Sequence, residues 1–139
     1  MSEDIIGALV TFLKTSSDVT ALVGDRVFGI ELPGAEAASM PRKTVVLSPS
    51  GGVSLAAGSY MQHDTQRVDA FSFGETLFEA DRVRRAVFDA FRVLRRGVTG
   101  TTLIHWIESA GGWVSQRDAD EDWPRSWQSF QVYHALEAA

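Results

Sequence analysis

The sequence contains no cysteine, which excludes disulfide bonds, cysteine zinc sites and thiol catalysis. A chain without cysteine is compatible with a reducing cytoplasm. The sequence also lacks an uninterrupted apolar run of the roughly 20 residues that a membrane helix needs. The apolar residues 5–13 follow acidic Glu3 and Asp4, whereas a signal peptide begins with basic residues. We therefore expect a protein that is made in the cytosol and is not inserted into a membrane.

Positive charge is scarce as well. The chain has 13 lysines and arginines against 18 aspartates and glutamates, a net charge of -5. A protein whose main task is to coat DNA normally has a basic surface, so the charge balance argues against that role. The 139 residues are 45% hydrophobic and 22% charged, which is ordinary for a globular protein. We expect one domain that spans residues 1–139.

The start of the chain has the apolar spacing of an amphipathic helix. Over residues 4–14 the side chains at 5, 9, 12 and 13 share one helical face. Ser2 or Asp4 can cap the start of this helix. A short helical turn over residues 19–23 follows, and Gly24 ends it because glycine tolerates a left-handed conformation.

A longer amphipathic helix is predicted over residues 74–95. Its apolar residues recur at spacings of three and four, and its last residues are cationic, as the helix dipole favours. Gly97 stops it. Two capping boxes compete at its start, Ser72 with Glu75 and Thr76 with Glu79.

Five further runs predict strands, at residues 27–30, 44–47, 60–73, 101–110 and 126–136. Loops are predicted at 31–42 and 111–125, and residues 50–58 form either a mobile loop or the tip of a long hairpin. Most strands are therefore joined by turns or loops and not by crossover helices. This order favours an α+β fold, with an antiparallel or mixed sheet of four to five strands, one long helix packed on a face and a shorter N-terminal helix. The second face of the sheet needs cover, which the first helix or a neighbouring subunit could supply.

No motif for catalysis or cofactor binding is evident. His63, His105 and His134 fall on separate elements without a second ligand at helical spacing, so no metal site is predicted. Ser50-Gly51-Gly52 lacks the lysine and Ser/Thr of a phosphate-binding loop. The Gly-x-Ser-x-Gly elbow of a hydrolase is missing, although a triad assembled in space stays open. We expect a protein without a cofactor that is not an enzyme.

Other features suggest contacts with partners. The acidic run at 118–122 indicates a solvated loop, and its flanking tryptophans lend some support to the alternative of a docking edge for a basic partner. The glycine-rich segment at 50–58 could order against another subunit. The arginines of the long helix form either a solvated face or a salt-bridge network between subunits. The candidate interface residues are Arg82, Arg85, Trp113, Trp123, Gly51, Gly52 and Leu55.

The order of several short motifs resembles one protein family. An amphipathic first helix precedes Ala21-Leu22-Val23-Gly24-Asp25-Arg26-Val27-Phe28, and a loop with Pro33 and Pro41 precedes Thr44-Val45-Val46-Leu47. Arg67-Val68-Asp69-Ala70-Phe71 then leads into the helix with Glu79-Ala80-Asp81-Arg82-Val83. In this order the chain resembles the tail terminator, or tail completion, proteins of long-tailed phages and gene transfer agents.

The resemblance implies a hexameric ring that caps the head-proximal end of the tail tube, ends tube polymerisation and joins the tail to the head. The implied partners are other copies of the chain, the tail tube protein and the head–tail connector or stopper protein. Double-stranded DNA would only pass through the lumen, which suits an acidic protein. The family implies no catalytic residues, and it places the protein in the virion after assembly in the host cytoplasm.

Two features depart from the family pattern. Arg42-Lys43 stands where relatives often have an apolar or aromatic pair, and residues 111–125 are unusually rich in tryptophan and acid. Another neck component, such as a head completion or stopper protein, is the alternative within the same particle. A small hydrolase or ligand-binding domain is the alternative from another class.

Overall fold

The computed structural model describes residues 4–51 and 63–138. Within these residues the chain forms four helices and six strands. The helices are α1 (Ile5–Thr15), α2 (Ser17–Val23), α3 (Gly34–Ala37) and α4 (Leu77–Arg92). The strands are β1 (Val27–Gly29), β2 (Thr44–Pro49), β3 (His63–Phe73), β4 (Gly97–Thr99), β5 (Thr102–Arg117) and β6 (Pro124–Ala138).

The first two helices are confirmed. The Asp4 carboxylate caps α1 by accepting a hydrogen bond from the Gly7 N–H at 2.8 Å. The buried side chains of α1 recur at helical spacing, so one apolar face turns towards the core. Gly24, with a φ of 62°, ends α2 in the left-handed region that glycine enters without a steric penalty.

The start of α4 resolves the choice between the two capping boxes. The Thr76 hydroxyl accepts a hydrogen bond from the Glu79 N–H at 3.1 Å, and the Glu79 carboxylate accepts one from the Glu75 N–H at 3.2 Å. The Ser72–Glu75 box is wrong, because Ser72 lies in β3 with a buried hydroxyl that has no hydrogen-bond partner among the described residues. The helix also ends three residues before the predicted Arg95.

The sheet has the strand order β1-β2-β3-β6-β5-β4. β1 and β2 are parallel, and the other neighbours are antiparallel, so the sheet is mixed. The prediction of four to five strands is wrong, because β4 adds a sixth strand where Gly97 was expected only to stop the helix. α3 likewise occupies part of the predicted 31–42 loop.

The predicted 111–125 loop is mostly a β-hairpin. β5 continues to Arg117 and β6 begins at Pro124, so only residues 118–123 remain as the turn. The pairing between β5 and β6 shifts its register between Ser109 and Trp113, and Gly111 lies there at a φ of 130°. Glycines that suggested a loop therefore form an irregularity inside a long strand.

α1, α2 and α4 lie on one face of the sheet. Leu9 and Leu13 of α1 and Val83, Val87 and Phe91 of α4 belong to the same hydrophobic cluster as the inward residues of β2, β3 and β6. α1 contacts β1 and β2 at one edge and β4 at the other, so the sheet curls around it. The prediction that the first helix could cover the second face is therefore wrong. That face carries Arg67, Asp69, Phe71, Trp127 and Tyr133.

No single helix in the described residues is long and apolar enough to cross a membrane. Only α1 and α2 taken together reach that length and apolar character, and an 87° bend separates them.

Ile30 stores strain at the end of β1. It has a φ of 71°, which is a genuine outlier for a β-branched residue, and its side chain is 64% exposed. Its N–H donates to the Leu47 carbonyl at 2.7 Å, which holds the backbone in place. We expect Ile30→Asn to raise the free energy of unfolding by about 1 kcal/mol, because asparagine tolerates this region better.

Thermal denaturation measures this gain as a rise in midpoint of about 3 °C. Ile30→Ala is the matched control, since alanine shortens the side chain but retains the Cβ that opposes a positive φ. A variant Ile30→Asn no more stable than the parent would contradict the assignment of strain.

Candidate assembly surface

The turn of the β5–β6 hairpin is organised by Asp118. Its Oδ1 accepts hydrogen bonds from the N–H groups of Asp120 at 2.8 Å and Glu121 at 3.0 Å. The Asp118 N–H donates to the Trp123 carbonyl at 2.8 Å and closes the turn. One member of the acidic run thus fixes the backbone, while Asp120, Glu121 and Asp122 are exposed. Exposure of these carboxylates fits both a solvated loop and a docking edge, so the docking edge stays a prediction.

The same contacts set the acidity of Asp118. Hydrogen bonds from the backbone of Glu121 and then Asp120 lower the pKa of its carboxyl group, and the charge of Arg125 adds to the effect. A carboxyl group whose folded-state pKa is lowered stabilises the fold above its unfolded-state value of roughly 3.9. That stabilisation is lost as the pH falls through the folded-state pKa.

We therefore expect Asp118→Asn to reduce the free energy of unfolding at pH 7. The free energy of unfolding of this variant should also change less with pH below about 4 than that of the parent. Urea unfolding across this pH range measures both effects. Asp120→Asn is the control, because that exposed carboxylate accepts no hydrogen bond from the described residues. An unchanged pH profile in Asp118→Asn would show that the turn does not depend on this charge.

Arg84 joins the hairpin to α4. Its guanidinium lies over the Trp113 ring at 4.1 Å from the centroid, and the arginine is only 7% exposed. Its Nε donates to Asp81 at 2.8 Å, and its Nη1 donates to the Oε1 of Gln128 at 3.1 Å. Trp113, a candidate interface residue, is 48% exposed above this cation. The hairpin arm is thereby held beside the first half of α4.

Arg82 and Arg85, the other candidates on this helix, are exposed. Arg85 forms an ion pair with Asp81 at 3.1 Å, so Asp81 bridges Arg84 and Arg85 as the spacing predicted. Arg82 forms no ion pair with another described residue. The structure thus places both candidates on an accessible helix face, and their part in a subunit contact stays a prediction.

A stack of aromatic rings and a cation occupies the sheet face away from the helices. The Arg125 guanidinium lies 5.1 Å from the Phe71 ring centroid and 4.9 Å from that of Trp127. Arg125 also forms an ion pair with Asp118 at 3.3 Å. The Phe71–Trp127 contact follows from the pairing of β3 with β6, which the sequence does not reveal without the register. Sequence reasoning therefore missed Arg125, and only its place between aromatic residues hinted at its role.

Trp123 is half-buried and packs edge-on against Phe73, with the ring centroids 6.0 Å apart. It therefore anchors the turn end of the hairpin within the subunit, and its part in a contact with a partner stays a prediction. Gly51 is exposed with a φ of 81°, and its carbonyl accepts a hydrogen bond from the Arg67 N–H at 2.7 Å. Gly52 and Leu55 lie outside the described residues.

The Arg42-Lys43 pair is used within the subunit. Arg42 forms a bidentate ion pair with Glu36 of α3, with distances of 2.6 and 2.7 Å. The hydrogen bond from Arg42 lowers the pKa of the Glu36 carboxyl group. The Lys43 carbonyl accepts a hydrogen bond from the Arg26 Nε at 2.8 Å. These contacts fix the connection between β1 and β2.

An apolar groove of about 210 Å³ lies between α4 and β5. Its walls are the side chains of Phe88, Phe91, Ile107 and Phe130, and Arg92, Glu108 and Ser109 also line it. Phe91 and Phe130 meet edge to face at 5.0 Å between centroids, which fixes the floor. Sequence reasoning missed this groove because it depends on how β5 lies against the helix.

The described residues contain no group of three or more His, Asp and Glu side chains placed to hold a metal ion. His134 is buried in β6, and the ring of His105 lies 4.8 Å from that of Tyr133. Arg96 donates to the Nδ1 of His105 at 3.2 Å. The side chain of His63 lies outside the described set.

Comparison with known proteins gives a likeness of fold. The sequence matches no protein-family model, and it matches no curated protein. A chain from the virion of a native gene transfer agent particle is similar in structure, with a TM-score of 0.69 and 18% sequence identity, and 94% of each chain is covered. The gp17 protein of bacteriophage SPP1 aligns with a TM-score of 0.47 and 17% identity, over 94% of this chain and 87% of that one. At this identity, the gene transfer agent chain shares its fold with this chain across nearly their full lengths.

Proposed function

We propose that this chain is a structural protein of the virion of a phage or gene transfer agent, located in the neck or tail. The observation that carries the proposal is the fold shared, over 94% of both chains, with a component of a gene transfer agent particle. The exposed hairpin tip and the accessible arginine face of α4 support a protein that works by contact. In this role the chain is not an enzyme and needs no cofactor.

Within that class we propose the tail terminator. Copies form a hexameric ring on the head-proximal end of the tail tube, end its polymerisation and join it to the head–tail connector or stopper protein. Residues 1–139 act as one domain of this type, in the virion after assembly in the host cytoplasm. The net charge of -5 lets double-stranded DNA pass through the lumen without tight binding. The residues that face neighbours include Arg82, Arg85, Trp113, Trp123, Gly51, Gly52 and Leu55.

Deletion of the coding sequence tests the role in the particle. A terminator limits tube growth, so its loss should give tubes of irregular, excessive length that remain separate from filled heads. Loss of a head completion or stopper protein should instead give tails of normal length and heads that lose DNA. Electron microscopy of the lysate distinguishes these outcomes. Normal, infectious particles that lack the chain would overturn the virion role.

Charge reversal tests the ring. A variant that combines Arg82→Glu and Arg85→Glu should fold normally, since both side chains are exposed, but should yield unjoined tails. Complementation of the deletion with this variant gives the readout, and reversal of Lys14 and Arg95 to glutamate, both exposed and outside the candidate interface, is the matched control for the same change of charge. Fully joined particles from the arginine variant would show that Arg82 and Arg85 lie on a solvated helix face and make no contact between subunits.

A further inference from the structure

Ile30 is both strained and exposed at the end of β1. It has a φ of 71°, and 64% of its side chain is exposed to solvent. Strained backbone persists mainly where function requires it, because a less costly residue would otherwise take its place. An exposed isoleucine gains little from burial within its own subunit. The strain therefore indicates that the Ile30 side chain serves a contact with another molecule.

The opposite margin of the sheet is also exposed. β4 pairs only with residues 102–104, so residues 105–117 of β5, here called the β5 margin, have no second partner strand among the described residues. Trp113 and Val114 on this margin are 48% and 41% exposed. The stretch contains neither lysine nor proline, two residues that commonly block such margins. The β5 margin is therefore open to another strand.

The register places β1 level with the outer part of the β5 margin. Three rows of paired residues cross the sheet from β1 to this margin: Val27 to Ser115, Phe28 to Val114 and Gly29 to Trp113. The directions of β1 and β5 are opposite. Rotation about an axis parallel to the strands would therefore bring β1 of one copy beside β5 of the next, antiparallel and at the same height. A contact without translation along the axis closes into a ring and does not continue as a filament.

The backbone of the β5 margin points outward at defined positions. The Asp118 N–H donates to the Trp123 carbonyl at 2.8 Å, so these two residues face each other across the β5–β6 hairpin. The backbone groups of successive residues alternate between the two sides of an antiparallel strand. Trp113 and Ser115, which are five and three positions before Asp118 in a regularly paired segment, therefore direct their N–H and C=O groups away from β6.

The backbone of β1 points outward at the matching positions. The Arg26 carbonyl accepts a hydrogen bond from β2 and the Ile30 N–H donates one to β2, so the alternate residues Val27 and Gly29 face away from the sheet. The Val27 N–H and the Gly29 carbonyl bond to neighbouring backbone of the same chain, at 2.9 and 2.8 Å. The Val27 carbonyl and the Gly29 N–H remain available to a partner strand.

The side chains of the two margins suit the same contact. Phe28 and Val114 share a row and a face of the sheet, so they would form an apolar pair between neighbouring strands. Ile30 is one position beyond Gly29 and would come level with Gly112. A Cβ added at Gly112 would meet no atom within 4 Å, so this glycine leaves space for the isoleucine.

The two margins also carry opposite charges at matching positions. Asp25 lies two positions before Val27 and Arg117 lies two positions after Ser115, so the two charges would share a row. Both side chains are exposed. Asp25 forms no ion pair with another described residue, and Arg117 is 3.9 Å from the Asp122 carboxylate, which is a loose contact. This complementarity favours a second copy of the chain as the partner.

We propose that β1 of one copy pairs with the β5 margin of the next, so that the sheet continues from subunit to subunit around the ring. The Ser115 N–H donates to the Val27 carbonyl of the neighbour, and the Gly29 N–H of the neighbour donates to the Trp113 carbonyl. This inference rests on the ring assembly proposed above and identifies its subunit contact. It gives the strained Ile30 a function outside its own subunit.

Ile30→Asn tests the role of the strain. The change relieves the backbone and removes the apolar side chain, so we expect the monomer to become more stable while self-association weakens about tenfold. Thermal denaturation measures the stability, and sedimentation of the purified full-length chain over a range of concentrations measures the association. Phe78→Asn is the matched control, because Phe78 is 88% exposed on α4 and outside the contact. Self-association of Ile30→Asn at wild-type strength would overturn the inference.

Amide hydrogen exchange tests the backbone pairing. The N–H groups of Gly29 and Ser115 point outward, so they should exchange rapidly in the monomer and become protected in the assembly. The N–H groups of Phe28 and Val114 face strands of their own subunit and should be protected in both states, which makes them internal controls. Rapid exchange at Gly29 and Ser115 in the assembled chain would contradict the pairing.

Exchange of charges tests the register of the contact. Asp25→Arg and Arg117→Asp should each weaken self-association by about fivefold, and a chain that carries both should recover it. Both positions are exposed, so these variants retain the fold. A double variant that associates no better than the single variants would show that the proposed register is wrong.

Mixing of variants tests the head-to-tail geometry. Ile30→Asp retains the β5 margin, whereas Val114→Asp retains β1. Each variant alone should associate weakly, and their mixture should form a dimer of one copy of each. Circular dichroism shows whether each variant is folded, and Arg117→Asp replaces Val114→Asp if the latter does not fold. A mixture that associates no better than its components would exclude a head-to-tail contact.

Two further results would count against the inference. One is a wild-type chain that stays monomeric at millimolar concentration. The other is Ile30-dependent binding of such a monomer to purified tail tubes, which would assign β1 to a contact with a tube protein. Neither result removes the proposed role in the virion, which the deletion tests separately.

Discussion

Phe91→Ala is expected to lower the free energy of unfolding by about 4 kcal/mol, a large part of the stability of a domain of this size. The side chain is 1% exposed and contacts two other rings, Phe12 of α1 at 6.1 Å and Phe130 of β6 at 5.0 Å between centroids. Its loss would leave a cavity where α1, α4 and the sheet meet. Equilibrium unfolding in urea measures the change.

Phe78→Ala is the matched control for this substitution. It removes the same side chain from the same helix at an exposed position, so the free energy of unfolding should change by less than about 0.5 kcal/mol. Both variants are compared at a concentration at which the chain is monomeric. Similar losses at the two positions would contradict the packing of α4 described here.

Arg84→Met is expected to lower the free energy of unfolding by about 3 kcal/mol. The substitution retains much of the side-chain length but removes the charge, so the buried Oε1 of Gln128 loses its donor and Trp113 loses the cation against its ring. Asp81 retains its ion pair with Arg85, which limits the loss. Amide hydrogen exchange should also become faster in the outer part of β5.

Arg82→Met provides the control for Arg84→Met. It makes the same replacement two residues away, at an exposed arginine, and should change the stability of the monomer by less than about 0.5 kcal/mol. If Arg84→Met were as stable as this control, the link between α4 and the hairpin would not depend on the buried cation.

The elements that local sequence determines could be predicted. α1, α2 and most of α4 have apolar stripes and capping residues that act within a few positions, and the structure confirms them. The buried side of β3, with Val68 and Ala70, follows from simple alternation. The ion pairs of Asp81 with Arg84 and Arg85 follow from helical spacing.

Features that depend on pairing over long distances could not be predicted. Helical spacing places Arg84 on the buried face of α4, but its partners Trp113 and Gln128 follow only from the register of the sheet. The length of β5 was underestimated because Gly111 and Gly112 suggested a loop. The α4–β5 groove could not be predicted either. Its lining combines residues of α4, β5 and β6, and they come together only when the helix packs on the sheet.

The two strands at the margins of the sheet, β1 and β4, are only three residues long. Long, flat margins invite other chains to extend the sheet through backbone hydrogen bonds, which leads to uncontrolled aggregation. Here β4 pairs only with residues 102–104 of β5, so residues 105–117 of β5 form a longer margin that has no second partner strand among the described residues. This stretch of β5 is therefore the described margin at which another chain could extend the sheet through backbone hydrogen bonds.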